Sequence, residues 1–206
     1  CFLILMLPSE WLLDASDMKL VAAIAIGWWV VAAGLLWSYP RGLSTVVVLL
    51  AGPLTLIPAW LLLSSLHRLD PQGPALTLSL LAIVWAADVG AYLTGRQFGS
   101  VKLAPQVSPG KTWEGVGGGV LLAVLTAAVA AAILETNMVA FVAVALAATL
   151  VSVIGDLTVS MFKRNVGLKD SGRLLPGHGG VLDRIDSLSA AVPFFFFGLQ
   201  LAGLWI

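Results

Sequence analysis

Polar residues are scarce along this chain and they come in clumps. Between the clumps run six mainly apolar stretches, at 20–39, 43–66, 75–95, 113–134, 138–162 and 188–206. A helix crosses a bilayer with about 20 such residues, so the pattern predicts an all-α, polytopic integral membrane protein with about six transmembrane helices. The breaks between spans carry turn chemistry: Pro40-Arg41-Gly42, Asp70-Pro71-Gln72-Gly73-Pro74 and Glu135-Thr136-Asn137. Residues 1–7 read as the tail of an earlier span. Residues 9–19 are short, mixed and expected to be interfacial. With no long-period repeat, residues 1–206 read as a single membrane-embedded domain.

Composition narrows the class. Of 206 residues, 59% are apolar and 11% charged, against about 25% charged in a soluble domain. The mean hydropathy of +0.99 excludes a disordered chain. Eleven basic residues balance eleven acidic ones, which gives no argument for nucleic-acid binding. The one Cys, at position 1, excludes a disulfide framework or a Cys-based metal site within the chain. The start without Met, inside the apolar run CFLILML, predicts a fragment with its upstream part missing.

Loops that alternate sides place Arg41, Arg96, Lys102, Lys111, Lys163, Arg164, Lys169, Arg173 and Arg184 together. The opposite side receives only Lys19 and Arg68. Nine against two is a positive-inside bias. It predicts that 96–112 and 163–187 face the cytoplasm, the second as an ordered loop.

Nine of the 22 charged residues fall between Asp156 and Asp186. Asp156 sits in an apolar run, where a carboxylate is costly and marks a partner, an ion or a pathway. On a helix it shares a face with Ser160 and Lys163, and the plain alternative is an Asp156–Lys163 ion pair. Asp88 is a second intramembrane acid, one turn before Tyr92; it either faces a shared polar cavity or is a hydrogen-bonded packing residue. Downstream, Gly177, Gly179 and Gly180 surround His178, and such glycines let backbone N–H groups turn toward an anion. Lys163, Arg164, Lys169 and Arg173 add cations. Asp183 and Asp186 project from one face at the start of a helix, oxygen donors suited to Mg²⁺ shared with phosphates. The plain alternative is a solvated charged loop.

In the other loop, Gly110-Lys111-Thr112 is similar to the end of a Walker A motif. Pro105 stands where that motif needs glycine, and no strand is predicted before it, so a P-loop NTPase is not expected. Lys111 can still reach a phosphate, and Thr112 or Ser108 can cap the next helix; otherwise Ser108–Lys111 is a helix-entry turn. Gly115 and Gly117–Gly119 suit close helix packing.

One family resemblance gathers these residues. Ser160-Met161-Phe162-Lys163-Arg164, then Lys169-Asp170-Ser171-Gly172, then the run from Leu175-Pro176-Gly177-His178-Gly179-Gly180 through Asp183-Arg184-Ile185-Asp186 resembles the signature of phosphatidate cytidylyltransferases. Two further segments resemble the bacterial enzymes: Trp85-Ala86-Ala87-Asp88 with Ala91-Tyr92 and Gly95, and Lys102-Leu103-Ala104-Pro105 through Ser108–Gly115. The likeness runs from about residue 75 to near the end; residues 1–70 match only in hydropathy.

The resemblance implies transfer of CMP from CTP to phosphatidic acid, giving CDP-diacylglycerol and pyrophosphate. It also implies dependence on Mg²⁺ with K⁺ as a second ion, a homodimer, and the bacterial inner membrane. Its metal ligands carry over to Asp156 and Asp183, with Asp186 adjacent. The expected catalytic residues are Lys163, Arg164, Lys169, Asp170 and His178. The expected substrate contacts are Lys111, Ser108, Ser160, Gly177, Gly179, Gly180, Arg184 and Asp88. The alternatives are a secondary transporter or channel, which also uses intramembrane acids, and a CTP-dependent lipid kinase.

Overall fold

The computed structural model describes residues 15–40, 42–168, 171–172 and 180–204. Among these there are six helices: α1 Ala15–Ser38, α2 Thr45–His67, α3 Gly73–Phe98, α4 Trp113–Ile133, α5 Met138–Asn165 and α6 Leu182–Leu201. The predicted breaks terminate them for local reasons. Ser44, Thr112 and Asn137 are N-caps whose side chains accept from the N–H of Val47, Gly115 and Ala140. Gly73 is required at the α2–α3 turn, because a Cβ there would stand 2.5 Å from the His67 carbonyl oxygen.

Five helices, α1 to α5, are long and apolar enough to cross a membrane. The protein is thus an all-α polytopic membrane protein, as the hydropathy predicts. The sixth stretch differs in detail: α6 begins at Leu182, six residues before the predicted 188, and its first turns hold Asp183, Arg184 and Asp186. The first span also starts early, since 15–19, expected to be interfacial, are already helical in α1.

The core lies where α2, α3, α4, α5 and α6 meet, around Leu62, Leu66, Leu80, Ile83, Ala127 and Phe195. Phe141 of α5 meets Phe195 edge-on at 5.7 Å between ring centres. Lipid tails are as apolar as leucine, so packing decides which helices touch. On α4, Gly115, Gly119, Ala123, Ala127 and Ala131 form a buried stripe of small residues, one per turn. Gly115, Gly118 and Gly119 fit against α3 so tightly that an added Cβ would meet an α3 atom within 2.9 Å. Gly117, grouped with them on sequence, has open space instead.

The polar link between α3 and α4 holds the one element without a sequence-based expectation. β1 Lys102–Ala104 and β2 Ser108–Thr112 form an antiparallel hairpin, pairing Lys102 with Thr112 and Ala104 with Ser108. A strand therefore does precede Gly110-Lys111-Thr112, correcting that part of the reading, but it turns back into a hairpin rather than opening a phosphate loop. Val107 at its tip is buried against Leu157 and Met161 of α5. Glu114 closes the base by accepting from the Val101 N–H at 3.1 Å and from the Ser100 hydroxyl.

Candidate active site

The hairpin brings β2 to the end of the bundle where α3 and α5 finish and α4 and α6 begin. A cavity of about 650 Å³ lies there. The loops predicted to share a side do so: 96–112 and the ends of 163–187 both border it. The end of α5 is also tied to the α1–α2 connection, where the Leu43 N–H donates to Asn165 Oδ1 at 3.3 Å.

Among the described residues, four carboxylates line this cavity: Asp88 from α3, Asp156 from α5, and Asp183 and Asp186 from the first two turns of α6. The two distant sequence regions expected to converge therefore meet. Asp186 is 7% exposed and accepts from the Ser187 N–H at 2.8 Å. Asp88 and Asp186 both feel the charge of Asp156, and the Ser187 side chain reaches Asp88. Bringing α6 this close needs Gly155: a Cβ there would lie 2.6 Å from Ala190 Cβ and 2.7 Å from the Asp186 carbonyl oxygen.

Cations offset part of this charge, with pairings the chain order does not suggest. Asp156 is ion-paired with Lys111 of β2, not with Lys163. Ser160 donates to Asp156 at 3.4 Å and meets the cavity only through it. Lys163 Nζ sits 2.6 Å from Asp183 Oδ1. The other Asp183 oxygen accepts from the Ser171 N–H, the Ser171 hydroxyl and the Gly180 N–H, each at 2.9 Å. Burial alone would raise Asp183; the Lys163, Ser171 and Gly180 donors outweigh it and hold this carboxyl well below the usual carboxylate range.

Other expected residues divide. Ser108 and Arg184 line the cavity. The Gly180 N–H points at Asp183 rather than outward to an anion. Arg164 is not brought to the cavity. Its guanidinium donates to the Val107 carbonyl at 3.4 Å and the Leu168 carbonyl at 3.3 Å, bracing the hairpin and the stretch after α5. Lys169, Asp170, Gly177, His178 and Gly179 lie outside the described residues. Sequence reasoning missed Arg96, Ser152 and Ser187 as lining groups; the spacing of Arg96 from Asp88, two turns along α3, was the available signal.

Among the described residues, no three His, Cys, Asp or Glu side chains are gathered to hold a metal unaided. The donor set is instead a few carboxylates beside open space. That suits a hard divalent cation, which keeps few protein ligands and completes its shell with water and phosphate oxygens. Asp183 fits this least, since both its oxygens are already engaged.

The family profile described as "Cytidylyltransferase family" matches residues 1–202. The chain belongs to the cytidylyltransferase family. Membership makes it a nucleotidyltransferase, and it includes the first 70 residues, whose kinship hydropathy alone suggested. The chain is 46% identical over 194 residues to the phosphatidate cytidylyltransferase of Haemophilus influenzae, covering 86% of this chain and 67% of that protein. It is 45% identical over 190 residues to that of Pseudomonas aeruginosa, covering 89% and 70%. With the Brucella suis enzyme it shares 39% over 214 residues, covering 91% and 77%.

Proposed function

We propose that this cytidylyltransferase moves CMP from CTP to phosphatidic acid, forming CDP-diacylglycerol and pyrophosphate, at the cytoplasmic face of the bacterial inner membrane. The observation that carries the reading is the meeting of Asp88, Asp156 and Asp186 with Lys111 and Lys163 in one cavity at the end of an apolar bundle. Such a site lets acyl chains stay in lipid while a nucleotide arrives from water. The charge gathers at one end, unlike the midplane site a transporter needs.

A phosphatidic acid oxygen attacks the α-phosphorus of CTP, the bond to the β-phosphate oxygen breaks, and pyrophosphate leaves. The nucleophile is already an anion, so no strong base is needed; the barrier lies in bringing two polyanions together. Lys111 exchanges Asp156 for a phosphate oxygen as CTP enters. Lys163, held by Asp183, offsets charge on the phosphate that departs. Asp156 and Asp186 would hold Mg²⁺, with K⁺ as a second ion, and Asp88 lines the same cavity. The chemistry such an ion would supply is neutralisation of the triphosphate. The enzyme works as a homodimer.

Pyrophosphate release by the purified protein tests this. It should require CTP, phosphatidic acid and Mg²⁺ together, and Asp156→Asn should abolish it while the protein remains folded in detergent. Release without the lipid, or near-normal activity of the variant, would overturn the assignment.

A further inference from the structure

The proposed reaction needs a place for a second anion, the phosphate of the lipid, distinct from the triphosphate. Among the described residues, the cavity's cationic side chains are Arg96, Lys111, Lys163 and Arg184. Lys111 and Lys163 each sit on a carboxylate, and Arg184 is engaged as well. Arg96 differs. Its hydrogen-bond partner is neutral: Arg96 Nη1 donates to the Tyr92 hydroxyl at 3.0 Å, one turn back on α3. Both residues are exposed.

Their position on α3 matters as much as their charge. Ala87, Asp88, Ala91, Tyr92, Gly95 and Arg96 face the cavity. Trp85, Val89, Tyr92 and Leu93 form an exposed apolar stripe on the same helix, from 48% to 61% exposed. Tyr92 belongs to both sets, and Arg96 stands just beyond it, at the end of the span where a headgroup lies. A lipid whose chains run along that stripe meets the cavity at Tyr92–Arg96.

Resting on the proposed transferase reading, we infer that Arg96 and Tyr92 form the recognition site for the phosphomonoester of the lipid substrate. The planar guanidinium has donors left to form a two-point contact with phosphate oxygens. The Tyr92 oxygen accepts from Arg96, which leaves its O–H free to donate to the same phosphate. Lys111 and Lys163 then serve the triphosphate. The division assigns the two anions to different elements around one cavity, the end of α3 for the lipid and β2 with α5 for the nucleotide.

Steady-state kinetics in mixed micelles with dioleoyl phosphatidic acid, varied separately from CTP, test the assignment. Arg96→Gln should raise the KM for phosphatidic acid about tenfold or more, the loss expected of a charge-assisted contact, with the KM for CTP within twofold of wild type. Tyr92→Phe should raise the same constant severalfold, and Arg96→Lys should recover part of the loss. A purely structural role would not divide the two constants in this way. A rise in the KM for CTP instead would assign Arg96 to the triphosphate and overturn the inference, as would two unchanged constants. Retention of phosphatidic acid over phosphatidylcholine, read by native mass spectrometry, needs no turnover. If the protein proves not to transfer CMP, loss of that selectivity in Arg96→Gln still supports the site, and its persistence refutes it.

Discussion

Adding a single methyl group at Gly155 should damage the site without touching any charged residue. The Cβ of Gly155→Ala would stand 2.6 Å from Ala190 Cβ and 2.7 Å from the Asp186 carbonyl oxygen. Non-bonded carbons rest at about 3.5–4.0 Å, so α5 and α6 must part by about 1 Å. Neither obstacle is the far end of a flexible side chain, so the backbone has to move. Overpacking of this kind costs about 1–3 kcal/mol, or roughly 2–12 °C in the unfolding midpoint for a chain of this size. The functional loss should be larger than the stability loss. Asp156 follows Gly155 in the chain, and Asp186 carries the carbonyl that is struck, so the two carboxylates separate as the helices do. A displacement of about 1 Å costs about 100-fold in rate where groups must be positioned. The assay is the initial rate of CDP-diacylglycerol formation beside thermal unfolding in detergent. Gly117→Ala is the control: no atom lies within 4 Å of its Cβ, and alanine is the better helix former by about 1 kcal/mol. It should be neutral or slightly stabilising. Wild-type rate and midpoint in Gly155→Ala would refute the view that this contact sets the site.

Further tests address other parts of the account. Lys163→Met leaves Asp183 with its Ser171 and Gly180 donors but without its cation; the pair is only partly buried, so about 1–2 kcal/mol of stability should go, less than for a fully buried pair, while turnover falls tenfold or more. Thr112→Val removes the α4 cap and should lower stability by about 1 kcal/mol in thermal unfolding. Chelation with EDTA should abolish turnover and added Mg²⁺ restore it; full activity in EDTA would remove the metal from the mechanism.

The spans were legible because about 20 consecutive apolar residues leave a chain few options beyond a membrane helix. The cap at Thr112, the break at 135–137 and the close packing at Gly115, Gly118 and Gly119 were legible because each depends on a few neighbouring residues. The hairpin was not. Strands of three and five residues, with Pro109 and Gly110 in the second and Pro105 in the turn between them, are too short to show alternation. The apolar count places the last span at 188 because of the charges at 183–186, while the spacing of Asp183 and Asp186 already suits a helix start there, where α6 begins. The pairing of Lys111 with Asp156 joins residues 45 apart, and local helix spacing favoured Lys163 instead. Arg164 and Arg96 show the same limit: composition gives their charge, while only packing shows that one braces a hairpin and the other borders the cavity.

The central claim is that the α-phosphorus of CTP is the atom transferred, and isotopic label follows it directly. The purified protein, given phosphatidic acid and Mg²⁺, should place label from α-³²P-CTP into the lipid and release label from γ-³²P-CTP as pyrophosphate. Lipid labelled only from the γ position would make the protein a CTP-dependent lipid kinase and contradict the account.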